Sequence, residues 1–141
     1  MPIQIIATEG IFDEHAEKAL FAATTESFLR HHNLVGNKFM TPNVIGEICI
    51  VPKGRTFAGG RPDDIVIIEL KVPAFALEAT EQKQSFVQEV TEAALNAAKG
   101  KLLRERVYVN MVYAVDGLWG IGGKAFTNSE LGKAIEASNA G

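Results

Sequence analysis

Ile65-Val66-Ile67-Ile68-Glu69-Leu70-Lys71-Val72, closed by Pro73, is the most strand-like segment of the chain, β-branched and apolar almost throughout. A strand this apolar on both sides has to be covered on both faces. Downstream, Thr80 is placed to cap a helix over about 81–99, with Phe86, Val90, Ala93, Ala94 and Ala97 on one side and Gly100 as its stop. Arg106-Val107-Tyr108-Val109-Asn110-Met111-Val112-Tyr113 then reads as a further strand. Upstream, the same order is already present. Pro2-Ile3-Gln4-Ile5-Ile6-Ala7 is a short strand bounded by Glu9-Gly10. Asp13 caps a helix over about 14–31 that carries Ala16, Leu20, Ala23, Ser27 and Phe28 as a stripe. A Val- and Ile-rich strand near 44–51 stops at Pro52-Lys53-Gly54.

The spacing of the two halves is regular. Gly117 follows Gly54 by 63 positions, each opening a glycine-rich element that ends in a glycine pair, Gly59-Gly60 and Gly122-Gly123. Ile65 follows Pro2 by the same 63 positions, which argues for an internal duplication. The expected fold class is therefore α/β: two tandem β-α-β units forming a four-stranded sheet with two helices on one face. One domain covers 1–141, with units of about 1–64 and 65–127 and a tail, 128–141, holding a short helix capped by Asn128 or Ser129. Right-handed crossovers land both helices on the same side of the sheet. The other side then calls for a second copy of the chain, in a closed symmetric oligomer.

Composition narrows the function. The 141 residues are 47% hydrophobic, enough for a core without metal or disulfide. The 14 basic and 17 acidic side chains are interspersed, with no basic block to follow a phosphate backbone, so no nucleic-acid partner is expected. No apolar run approaches a membrane span and no leader pattern opens the chain, so a cytoplasmic protein with no membrane partner is expected. Cys49, the one cysteine, reads as a small buried hydrophobe in a reducing compartment. His15, His31 and His32 make no metal site, because the adjacent pair diverges on a helix and His15 lies more than four turns away; they read as solvated surface. Asp63-Asp64 reads as turn chemistry.

Chemistry concentrates elsewhere. If Met1 is removed, Pro2 carries a free secondary amine; a solvated α-amine titrates near about 7.7–8.0, and desolvation or a nearby cation lowers that value to give a neutral base. General-base catalysis of this kind contributes about 10²- to 10⁴-fold. The plain alternative is a proline that merely begins a strand, where no ladder donor is needed. Tyr108 and Asn110, two apart on a strand, share a face and can both donate to an oxygen that turns negative, or can simply be satisfied by strand neighbours. Trp119, the one tryptophan, stands between Gly117 and Gly120 and either walls an apolar pocket or joins the core. The glycine pairs suit tight turns; no Lys-Ser/Thr pair follows them, so they do not cradle phosphate.

Met1-Pro2-Ile3, Glu9-Gly10 followed by Phe12-Asp13-Glu14, and Gly117-Leu118-Trp119-Gly120-Ile121-Gly122-Gly123 together resemble the tautomerase superfamily, whose small members include 4-oxalocrotonate tautomerase. Val51-Pro52 to Gly59-Gly60 and Arg106-Val107-Tyr108-Val109-Asn110 resemble its longer branch, that of macrophage migration inhibitory factor. The resemblance runs to about Thr127. It implies a homotrimer and a cofactor-independent keto-enol tautomerase, with Pro2 as general base in a pocket at a subunit interface. Asn110 and Tyr108 would steady an enolate oxygen, and Trp119 and Ile121 would line the pocket around a small carbonyl or enol substrate. The family's cationic positions correspond here to Ile11, Val72 and Phe75, and its first-helix histidine to Phe28. A substrate carboxylate would therefore fall to Lys38, which precedes the second strand near the branch's pocket lysine although Thr41 is the strict match, or to Lys71, with Arg55 and Arg61 as further cations. Hydration, dehalogenation or decarboxylation by the same amine, and a non-catalytic oligomeric binding module, are the competing readings.

Overall fold

The computed structural model describes residues 1–139. Its first unit runs β1 (Pro2–Thr8), α1 (Glu14–His31) and β2 (Ile45–Val51), followed by a hairpin of β3 (Phe57–Ala58) and β4 (Arg61–Pro62). Its second runs β5 (Val66–Pro73), α2 (Thr80–Ala98) and β6 (Val107–Ala114), followed by a hairpin of β7 (Trp119–Ile121) and β8 (Lys124–Phe126) and by α3 (Asn128–Asn139). The main sheet has the order β2-β1-β5-β6. β1 and β5 are antiparallel at its centre, and each is parallel to the outer strand of its own unit. Two β-α-β units thus share one mixed sheet.

Local chemistry sets the helix ends. The Asp13 carboxylate accepts from Ala16 N–H at 2.7 Å and caps α1. α2 starts differently from the expected Thr80 cap: Thr80 is already helical, and the Gln82 side chain accepts from Ala79 N–H at 3.3 Å. It ends in left-handed Lys99 and Gly100. α3 is capped by Thr127 rather than by Asn128 or Ser129. The Thr127 hydroxyl accepts from Glu130 N–H at 3.1 Å and the Glu130 carboxylate accepts from Thr127 N–H at 3.2 Å, a reciprocal pair that satisfies two helix-start donors. The Asn128 N–H goes to Asp116 instead, tying the helix start to the turn after β6.

Strand alternation splits the sheet into two unlike faces. Ile3, Ile5 and Ala7 of β1 and Val66, Ile68, Leu70 and Val72 of β5 point at α1 and α2, where they meet Leu20, Phe28, Phe86 and Val90. Each such side chain contributes about 1.5–3 kcal/mol by leaving water. Between the helices, Glu89 accepts from Arg30 and from Ser27, each at 2.6 Å. The Arg30 bond is the main reason that the Glu89 carboxyl is held down at about 2.

His31 and His32 depart from the expected solvated surface, because the end of α1 is tucked under the β5–α2 connection. His31 Nε2 lies 3.3 Å from the Glu89 carboxylate without hydrogen-bond alignment. His32 is clamped at both nitrogens, Nδ1 to the Phe28 carbonyl at 2.7 Å and Nε2 accepting from Leu77 N–H at 3.0 Å. Burial pushes its pKa down. Only His15 of the three is exposed.

The opposite face carries three rows: Ile45, Pro2, Lys71 and Val112; then Glu47, Gln4, Glu69 and Asn110; then Cys49, Ile6, Ile67 and Tyr108. Among the described residues, no helix crosses it. Cys49, expected to be buried, is exposed, because β2 is an edge strand whose alternate residues turn to this uncovered side. Among the described residues, no helix is long and apolar enough to cross a membrane.

Candidate active site

The first row leads into a cavity of about 510 Å³. It is lined by Pro2, Ile45, Lys71 and Val112 from the sheet and by Trp119 and Ile121 from the second hairpin. The ladder explains the grouping. Pro2 pairs with Ile45, Ile3 pairs with Leu70 so that Pro2 adjoins Lys71, and Lys71 pairs with Val112. β7 and β8 then fold over this end of the sheet through Gly122 and Gly123, both at positive φ, which L side chains rarely adopt. Trp119 is thereby brought beside the start of β1.

Met1 is 5% exposed and forms part of the same wall. Its ammonium donates to the Asn43 carbonyl, and its carbonyl accepts from Ile45 N–H at 3.2 Å. Burial lowers the pKa of this amine from 8.0 to about 6, since a charged group is disfavoured where water is scarce. The Met1 amine therefore sits in an environment that favours its neutral form.

Tyr108 and Asn110 share the open face with Pro2, but they line a separate hollow of about 410 Å³ with Phe57, Ile65, Ile67 and Arg106. From the strand spacings, Asn110 lies about 12 Å and Tyr108 about 16 Å from Pro2 in the same chain. Neither side chain spans that gap. Arg106 is held there by Asp63 at 2.8 Å, and this bond raises its pKa while lowering that of Asp63. Lys38 lies exposed in the α1–β2 connection and lines neither hollow. One chain thus brings together Pro2, Lys71, Trp119 and Ile121, and holds Tyr108 and Asn110 apart from them.

Several lining residues, Ile45 among them, escaped the sequence. Val112 follows from the alternation that links Tyr108 with Asn110, extended by one step. Tyr113 closes the end of β6 and donates its hydroxyl to the Ala76 carbonyl at 3.1 Å, and Asn43 enters through the tight turn before β2; neither carries a sequence signal. Val72 of β5 and Phe28 of α1 are buried in the core between the sheet and the helices. Among the described residues no cluster of His, Cys, Asp or Glu is arranged to hold a metal ion.

No family model matches the chain, and no curated protein matches it. Solved structures do. A fused 4-OT described as a wild-type symmetric trimer superposes with a TM-score of 0.74 at 12% identity, covering 94% of this chain and 99% of that one. A native fused 4-OT gives 0.72 at 19% identity with the same coverages. A malonate semialdehyde decarboxylase inhibited by 3-bromopropiolate gives 0.66 at 15% identity, covering 86% of this chain and 89% of that one. At these identities the likeness is one of fold.

Proposed function

We propose that this chain, which shares the fold of the tautomerase superfamily, is a cofactor-independent keto-enol isomerase that works through the free amine of Pro2 once Met1 is removed. The observation that carries the proposal is the environment of that nitrogen. Burial already depresses the Met1 amine to about 6 at this spot, and Trp119 and Ile121 wall the cavity beside it. In such a place Pro2 would be a neutral base at physiological pH. It would take a proton from the carbon next to a carbonyl and return it one carbon along.

Lys71 is the cation of the cavity, so a substrate carrying at most one carboxylate would bind with that group on Lys71. A dicarboxylate would leave one charge without a partner. Tyr108 and Asn110 lie out of reach of Pro2 in their own chain. Their contribution would come from a neighbouring copy, whose Tyr108–Asn110 hollow would close on this cavity across the uncovered sheet face. That arrangement favours the homo-oligomer, a trimer as the fused 4-OT relatives are described. Because the base must be deprotonated, kcat/KM should climb with pH up to the lowered amine value and stay level above it.

The test combines intact mass with turnover. Protein lacking Met1 should ketonise phenylenolpyruvate, and Pro2→Ala should lose about 10²- to 10⁴-fold in kcat without loss of its thermal midpoint. Unchanged turnover removes Pro2 from the account, and no turnover by the Met1-free parent leaves the non-catalytic module. Mixing Pro2→Ala with Asn110→Ala subunits should restore part of the activity, since mixed assemblies contain sites with both groups intact. No recovery would return the site to a single chain.

A further inference from the structure

The Ile45 N–H is the one ladder donor whose partner belongs to Met1 itself: it donates to the Met1 carbonyl oxygen at 3.2 Å, and the carbon of that carbonyl is bonded to the Pro2 nitrogen. Removing Met1 leaves this N–H aimed at the space beside the proline amine. The freed N–H is then open to water or to any acceptor placed beside the proline amine. We propose that the Ile45 N–H is an oxyanion donor, binding the substrate oxygen that gains charge as the Pro2 amine takes a proton. This inference rests on Pro2 being the base.

The geometry favours the assignment in three ways. Register places the donor, since Pro2 and Ile45 are direct partners in the β1–β2 ladder. The donor is also rigid. A Cβ on the next residue, Gly46, would fall 1.8 Å from the Ile3 carbonyl oxygen and 2.8 Å from the Phe21 ring, so β2 is drawn tight against β1 at this point. On the other side the Val44 N–H is tied to the Met40 carbonyl at 3.0 Å. A donor fixed before substrate arrives needs no reorganisation during the reaction.

Connectivity also matches. One carbon separates the Met1 oxygen from the Pro2 nitrogen, and one carbon separates a substrate's carbonyl oxygen from the carbon that loses its proton. With that carbon in contact with the amine, the substrate oxygen lies just outside the place left by the Met1 oxygen. The C–H electron pair becomes the C=C bond, the carbonyl π pair moves to oxygen, and the proton goes to the Pro2 nitrogen. The Asn43 carbonyl, which accepts from the Met1 ammonium, remains alongside to receive the N–H of the protonated proline. The Ile45 donor is supplied by the same chain as the base, unlike Tyr108 and Asn110.

Ile45→Pro tests this by deleting a donor that has no protein partner once Met1 is gone; Val44, at φ −88° and ψ 97°, already has the extended backbone required before proline. In Met1-free protein, Ile45→Pro should lower kcat for phenylenolpyruvate by about 10²-fold, with KM within about threefold and an unchanged thermal midpoint, while Ile45→Ala, which trims the cavity wall but keeps the N–H, should retain at least about tenfold more kcat than Ile45→Pro. Equal kcat in the two variants overturns the inference. Should Ile45→Pro fail to assemble, titration of the parent with phenylpyruvate decides: the Ile45 amide proton should move downfield and saturate, and an unmoved resonance at saturation overturns it. Pro2→Ala run alongside separates the two proposals. If it is inactive while Ile45→Pro is unimpaired, only the Ile45 assignment falls; if Pro2→Ala is fully active, both do.

Discussion

Ile5 and Ile6 are neighbours in β1, yet Ile5 is 1% exposed beneath α1 and α2 while Ile6 lies half-buried on a face that no helix among the described residues crosses. The same contrast runs along β5. Ile68 and Leu70 are sealed, and Ile67, Glu69 and Lys71 look outward. The covered face is determined by packing within one chain, so it carries stability. The open face mixes apolar, acidic and basic residues in rows, and it holds both the cavity at Pro2 and the hollow at Tyr108. Its composition makes sense only with something outside the chain, a substrate or another copy.

The division can be broken by moving a large effect to the wrong face. Ile68→Ala, on the covered side, should cost about 2–5 kcal/mol in denaturant unfolding; a loss below 1 kcal/mol would mean that the helices do not bear on β5 as described. Lys71→Ala, on the open side, should leave unfolding unchanged and raise KM for a monocarboxylate about tenfold, the equivalent of about 1.4 kcal/mol. A fall in thermal midpoint instead would make Lys71 structural. Thr127→Ala should cost about 1 kcal/mol through loss of the α3 cap, with turnover intact, which would set the tail outside the division.

A smaller effect is a pH dependence of the covered side alone. His32 has a lowered pKa in the fold because burial disfavours its charge, and its Nε2 must stay unprotonated to accept from Leu77 N–H. Its stabilisation is fully present above the unfolded value of about 6.5. It declines as pH falls through that value and levels off below the folded one. His32→Gln should flatten this part of the stability profile; an unaltered profile would assign the acid sensitivity to other groups.

Which parts of this were legible follows from what each residue depends on. The two β-α-β units and the Gly117–Gly123 element are legible because alternation and the 63-residue offset depend on local pattern. The separation of Tyr108 and Asn110 from Pro2 is not. Period two assigns a face, whereas the row along the strand is set by the antiparallel register of β1 on β5, for which Ile3 could pair with more than one residue of an apolar strand. Cys49 was misread because an apolar stretch does not announce that it will be an edge. His31 and His32 were misread because their burial comes from the β5–α2 connection, far away in sequence. The cap of α3 falls on Thr127, one residue before the expected start, because its hydroxyl and the Glu130 carboxylate each accept from the other's backbone N–H.

The second hollow includes Ile65, the residue that stands 63 positions after Pro2. Its nitrogen is joined to Asp64 and its N–H is given to the Thr8 hydroxyl at 2.9 Å, so this half of the duplicated molecule has no terminus to offer. On the proposed reading, covalent linkage of the halves would leave a single imino group to each polypeptide. In the proposed oligomer the twin recess would take no part in the proton transfer and would cover a neighbouring chain's cavity.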